Sequence, residues 1–161
     1  MDAEGKISYA EAVTIRYLNV SDKSISDITG IESFINLDTL VCYFNNLTSL
    51  DISNNKSLVS LDCSQNKLTR PDLSHKTALG VINCRANLLT SLDLTNNTGL
   101  IDLSDIPPYN IRLFINDMPP LNKLCVWVML FPPTGLTIDT SGSPNVYFST
   151  DCSRQEFYQM I

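Results

Sequence analysis

Short stretches of alternating residue type recur along the middle of the chain. Leu40-Val41-Cys42 is followed by Leu61-Asp62-Cys63, Ile82-Asn83-Cys84 and Leu103-Ser104-Asp105, each 21 residues after the last. Stretches of this kind, with apolar residues at alternate positions, are typical of a short β-strand that buries one face. The pattern therefore predicts one short strand in every 21 residues.

A second set of stretches lies between these strands at the same interval. It comprises Leu50-Asp51-Ile52, Pro71-Asp72-Leu73, Leu92-Asp93-Leu94 and Leu113-Phe114-Ile115. Each coil should then contribute one strand to each of two parallel sheets. Proline lacks the N–H that a central strand needs, so Pro71 predicts a local break in the second sheet.

The same register continues beyond the clean repeats in both directions. Leu18, Leu124 and Val146 extend it at intervals of 22, 21 and 22 residues. It predicts seven coils, with Leu113 in the second sheet and Leu124 in the first. A lone coil buries too little apolar surface to offset the entropy of ordering it, so neighbouring coils must stack.

The ends of the register set the expected domain limits. We expect a single domain over 1–161, because the repeats form one continuous array with atypical ends. Its parts are an N-terminal cap at 1–17 with a short helix, repeats at 18–124, and an irregular β cap at 125–161.

The repeat carries a family resemblance. The segment LTSLDISNNKSLVSLDCSQNKLT, 47–69, resembles the leucine-rich repeat family, as does the first coil, 18–40, which contains ISDITGIESFINLDTL. The likeness is to the short bacterial type found in internalin-like cell-surface proteins. It implies a leucine-rich repeat solenoid in which the side-chain amides of Asn45, Asn66 and Asn87 bond the backbone of their own and adjacent coils. These asparagines are therefore expected to be structural.

The start of the chain carries a second resemblance. DAEGKISYAEA is similar to the latter part of an EF-hand or dockerin-type calcium loop, which implies Asp2, Glu4 and Glu11 as ligands. The alternative is a cap helix from Ser8 to Val13. Because the loop's first ligand would precede residue 1, we expect no metal or other cofactor unless this partial loop binds calcium.

Three cysteines recur at an inward strand position. Cys42, Cys63 and Cys84 are 21 residues apart, so their thiols should stack in a structural column. A metal site is the alternative, but parallel side chains in register do not converge tetrahedrally. The same register directs Cys125 outward. The sequence leaves two alternatives for Cys125 and Cys152: an unpaired, reactive thiol or a disulfide.

Two polar features of the sequence bear on possible catalytic or metal chemistry. His75 is the only histidine, and the repeat places no serine or cysteine to act as its nucleophile, nor a third group to hold it as a base. We therefore expect a turn residue and no enzyme. Asp51, Asp72 and Asp93 form an outward column in which each aspartate either bonds nearby turn amides or shares a cation.

Composition narrows the range of partners. The chain has 17 acidic and 11 basic residues and a net charge of −6, which disfavours nucleic acid. No apolar run approaches the roughly 18 residues of a membrane span. The chain begins MDAEG, without a charged segment followed by an apolar one, so we expect any signal or lipid anchor to lie outside this sequence.

The outward positions of the first sheet vary in residue type, as a binding surface requires. They include the residue types that dominate binding energy at interfaces, and the candidate ligand-binding set is Tyr43, Asp62, Asn83, Arg85 and Trp127. We expect a monomeric, non-enzymatic protein-protein interaction module of a bacterial surface or secreted protein. A glycan-binding module and a structural spacer are the alternatives.

Overall fold

A computed structural model describes residues 6–101, 111–126 and 137–152. The helices in these ranges are the α-helix α1 (Tyr9–Ala12) and two short 3-10 helices (Ile31–Ser33 and Thr98–Ile101). The strands are β1 (Tyr17–Asn19), β2 (Thr39–Val41), β3 (Ser60–Asp62), β4 (Val81–Asn83), β5 (Ser91–Asp93), β6 (Ile111–Phe114), β7 (Lys123–Cys125), β8 (Thr137–Asp139) and β9 (Tyr147–Ser149). None of the helices in these ranges has the length and apolar character needed to span a membrane.

The larger sheet, here called sheet A, is parallel and has the order β1-β2-β3-β4-β6-β8. Leu40 pairs with Leu61 and Leu61 with Ile82, one coil apart. These central side chains are fully buried, while their strand neighbours are half-buried. The strand alternation expected from the sequence is therefore confirmed, and the fold is a leucine-rich repeat solenoid.

The smaller sheet, here called sheet B, contains only β5, β7 and β9 in parallel. The half-coils at Leu50 and Pro71 bury the expected apolar side chains but form no strand. Pro71 has no N–H to donate, so it interrupts pairing between the half-coils on either side of it. The predicted break at Pro71 is present, and it extends over the first two predicted strands of this sheet.

The predicted register is wrong after residue 94. Leu113 pairs with Ile82 in sheet A, and Leu124 pairs with Leu92 in sheet B, which reverses their expected sheets. The step from Ile82 to Leu113 is 31 residues, so this coil is ten residues longer than the repeat. Sheet A consequently has six strands among the described residues, and the count of seven coils is wrong. The predicted strand at Leu103 lies outside those residues.

A cap helix precedes the first coil. Ser8 accepts a hydrogen bond from the Glu11 N–H, and the Glu11 carboxylate accepts one from the Ser8 N–H at 2.9 Å. This reciprocal capping box stabilises an α-helix of only four residues. Ala12, the last residue of α1, is buried, and α1 lies within the range 8–13 that the sequence assigned to a cap helix.

Candidate binding face

A ladder of asparagine side chains supports one edge of sheet A. The Asn66 amide donates to the carbonyl oxygens of Cys42 and Cys63, at 3.0 and 3.1 Å, and its oxygen accepts from the Leu47 N–H at 2.9 Å. Asn87 repeats this arrangement one coil later. Asn45 does so one coil earlier, accepting from two N–H groups of the first coil. Each amide thus joins two coils, both as donor and as acceptor.

The ladder continues with different chemistry toward the C-terminus. The Ser143 hydroxyl donates to the Ile115 carbonyl oxygen at 2.8 Å and accepts from the Met118 N–H at 3.0 Å. A hydroxyl can both donate and accept, so Ser143 serves as the asparagines do. Sequence reasoning missed this position because it sought asparagine rather than any donor and acceptor.

A second ladder, which follows the half-coils at Leu50, Pro71 and Leu92, uses only donors. Asn55 and Asn97 each donate to two carbonyl oxygens of the preceding coil, while their own amide oxygens accept no hydrogen bond. Between them stands Lys76, 2% exposed, whose ammonium donates to Ser53 and Asn55 carbonyl oxygens at 3.3 and 3.1 Å. A lysine can replace asparagine here because this position requires no acceptor. Burial lowers the pKa of Lys76.

The cysteine column lies inside the solenoid. Cys42, Cys63 and Cys84 are free and buried. Burial, with the Asp62 carboxylate adding to it, raises the pKa of Cys42 and of Cys84 to about 12. Thiols with such pKa values stay protonated and unreactive. Within the described ranges, no group of three or more His, Cys, Asp or Glu side chains is placed to hold a metal ion.

Cys125 differs from its expected position. It lies buried in β7 and forms a disulfide with Cys152, with Cα atoms 5.8 Å apart. Cys125 is in register with the outward residue Asp93, so it keeps an outward strand position, but it lies in sheet B rather than sheet A and is buried where it bonds Cys152. The disulfide connects β7 to the segment that follows β9.

Of the candidate calcium ligands, Glu11 is the one that the structure describes. Its carboxylate also accepts the Ser8 hydroxyl at 2.8 Å, in addition to its capping-box bond. Asp2 and Glu4 lie outside the described residues. Calcium binding by this segment therefore stays a prediction.

The outward aspartates bond their own turns. Asp51, Asp72 and Asp93 accept hydrogen bonds from the N–H groups two residues ahead, at 2.9 to 3.0 Å. The prediction that these carboxylates bond turn amides is confirmed. The side-chain and backbone hydrogen bonds from Ser74 lower the pKa of Asp72. These carboxylates therefore stabilise the turns in their ionised form.

The structure places four of the five predicted ligand-binding residues together. Tyr43 follows β2, Asp62 ends β3, and Asn83 and Arg85 lie at the end of β4, on three adjacent strands of sheet A. Tyr43 is 40% exposed, whereas the other three are half-buried. Trp127 lies outside the described residues. We use the name binding face for the surface that consists of Tyr43, Phe44, Asp62, Ser64, Asn83 and Arg85.

Turn bonds occupy two members of the binding face. Both oxygens of Asp62 are used, one by Ser64 at 2.6 Å and the other by the Asn83 amide at 3.1 Å. The Asn83 oxygen accepts from the Arg85 N–H at 3.3 Å. The sequence indicates the turn bond between Asp62 and Ser64, because these residues have the same spacing as Asp72 and Ser74.

Phe44 was missed by sequence reasoning. It belongs to a column of residues four positions after each strand centre, all with left-handed φ values between 51° and 70°. The others are Asp22, Gln65, Ala86, Asp117 and Gly142. Phe44 is the bulky apolar member, and it is 58% exposed. An exposed phenylalanine in a left-handed turn buries little apolar surface, so it contributes little to the stability of the fold.

These features define the class of fold: a leucine-rich repeat solenoid with asparagine ladders and a cysteine column. The chain is similar to Internalin J of Listeria monocytogenes serotype 4b (strain F2365), with 42% identity over 55 residues, which is 34% of this chain. It also resembles the solved functional domain of InlJ from Listeria monocytogenes, which includes a cysteine ladder. That match has a TM-score of 0.60 and 28% identity over 91% of this chain.

The matches cover only part of each relative. The chain spans 6% of the length of Internalin J and 41% of the solved InlJ chain. No family profile matches the sequence. The similarity to these two proteins therefore concerns the repeat architecture that they share with this chain.

Proposed function

We propose that the chain is a non-enzymatic protein-interaction module of a bacterial surface or secreted protein. Similarity to Internalin J supports a repeat-based interaction module, and proteins of this type are generally not enzymes. The observation that carries the proposal is the binding face, where Tyr43 and Phe44 follow β2 and Arg85 follows β4, and where none of these side chains forms a hydrogen bond with a described residue. Residues of these types supply much of the binding energy at protein interfaces.

The test compares two double variants on an array of purified extracellular proteins. Tyr43→Ala/Arg85→Ala removes two side chains from the binding face. Tyr9→Ala/Arg70→Ala removes the same chemistry from exposed positions elsewhere. We expect at least one protein to bind the unmodified chain and the second variant but not the first.

The alternatives predict different outcomes. If only glycans on a parallel carbohydrate array lose binding in the Tyr43→Ala/Arg85→Ala variant, the module binds sugars instead. If neither array shows binding that depends on these residues, the chain acts as a spacer or binds elsewhere.

A further inference from the structure

The charged hydrogen-bond donor left on the binding face is Arg85. Asp62 and Asn83 are used in turns, and Asp139, the acidic residue of β8, accepts both the N–H and the hydroxyl of Ser141. The Arg85 guanidinium is half-buried and, although its charge helps to lower the pKa of Asp139, it makes no hydrogen bond or close ion pair with any described residue. Guanidinium groups present several donors in a planar fork that matches a carboxylate.

The surroundings of Arg85 add an apolar contact. Tyr43 and Arg85 lie two strands apart in sheet A, a backbone separation of about 10 Å. Ser64 lies between them and is 4% exposed, so the two longer side chains form the outer surface. Phe44 continues this surface beside Tyr43. A cationic fork and two aromatic rings thus fall within the reach of one short peptide segment.

We propose that Arg85, Tyr43 and Phe44 anchor a protein segment in which a carboxylate lies beside an apolar side chain. This inference rests on the proposed function and names the partner chemistry. Arg85 binds the carboxylate of an aspartate, a glutamate or a C-terminus through paired hydrogen bonds, and the aromatic rings pack on the neighbouring apolar side chain.

The same contacts favour a protein over an acidic sugar. Sugar hydroxyls are bound by free carboxylates and amides, and here Asp62 and Asn83 already bond their own turns. Phe44 offers only apolar surface. An apolar peptide side chain uses that surface more fully than a hydroxyl-covered ring does.

A random dodecapeptide library displayed on phage, selected against the full chain, tests the inference. We expect enriched peptides to carry Asp or Glu within two residues of an aromatic or aliphatic residue. For a synthetic peptide of that sequence, Arg85→Gln should weaken binding by about 10- to 100-fold. The control Arg70→Gln, an exposed arginine off the binding face, should change affinity less than twofold.

A second peptide separates direct contact from a structural effect. When its Asp or Glu is replaced by the amide, Arg85→Gln should cause no further loss, because the pair is already broken. The inference is overturned if enriched peptides lack acidic residues or if the Arg85→Gln effect persists with the amide peptide. It is also overturned if acidic glycans alone bind through Arg85. Peptides that bind independently of Arg85, Tyr43 and Phe44 would refute it while leaving the proposed function intact.

Discussion

Replacing Lys76 tests whether the second ladder requires donors rather than buried volume. Lys76→Met keeps the length and apolar character of the side chain but removes both hydrogen bonds. Lys76→Asn is smaller but restores the amide found at Asn55 and Asn97. If buried volume governs stability, the methionine variant will be the more stable, whereas donor chemistry predicts the reverse.

The structure sets the expected magnitudes. In Lys76→Met, the Ser53 carbonyl oxygen loses its donor, at a cost of about 1–3 kcal/mol. The Asn55 carbonyl oxygen keeps the Leu58 N–H at 3.3 Å, so its loss is smaller. Removing a buried ammonium returns part of this cost. We expect a net decrease of about 2 kcal/mol in the free energy of unfolding, and a decrease below about 1 kcal/mol for Lys76→Asn.

Urea unfolding followed by circular dichroism measures both variants. Lys56→Met, at an exposed position of the preceding half-coil, is the control and should change stability by less than about 0.5 kcal/mol. A methionine variant at least as stable as the asparagine variant would refute the donor argument.

The pH dependence provides an independent check on Lys76. Burial lowers its pKa from the usual 10.5. Between the folded and unfolded pKa values, the unfolded chain holds a proton that the folded chain has released, so stability rises with pH up to about 10.5. Lys76→Asn lacks this contribution. Its stability relative to the unmodified chain should therefore fall as pH rises through that window, and a constant difference would contradict the assigned burial effect.

Three further predictions follow from backbone and thiol geometry. Gly99→Ala should lower the free energy of unfolding by about 1–3 kcal/mol in denaturant titrations, because its Cβ would lie 2.8 Å from the Thr77 carbonyl oxygen. Ala86→Gly, at φ 51°, should raise stability by up to about 1 kcal/mol, whereas Ala78→Gly should lower it by about 0.4–1 kcal/mol. Cys63, buried and with a raised pKa, should resist maleimide in the native state and react once urea unfolds the chain, as mass spectrometry would show.

Much of the fold follows from the sequence because each coil constrains the next. Leu40, Leu61 and Ile82 must align for strands to pair, and Asn66 must bond two coils at once. These demands repeat every 21 residues and are therefore visible as a period. The local interactions reinforce the same arrangement, so alternation and ladder residues together predict the solenoid.

The predicted register is wrong in the part of the chain where the ladder asparagines are absent. Both half-repeats place apolar residues two apart and an asparagine five positions after the first, as in Leu40 with Asn45 and Leu50 with Asn55. After Leu113, the corresponding position is Met118. Leu113 lacks this asparagine and follows a coil that is ten residues longer than the others, so the pattern does not show to which sheet it belongs. Cys125 was assigned to the wrong sheet for the same reason.

Turn chemistry decides which outward side chains of sheet A remain available for a ligand. Where the outward strand residue is Asp and the residue two positions later is Ser, as in Asp62 with Ser64, the turn uses both side chains. Arg85 gives its turn only a backbone N–H, and Tyr43 follows Val41, whose side chain has no acceptor. Their side chains stabilise no turn and keep their full capacity for a partner. The candidate site therefore consists of the outward residues whose side chains form no turn hydrogen bond. Residue type alone does not identify them.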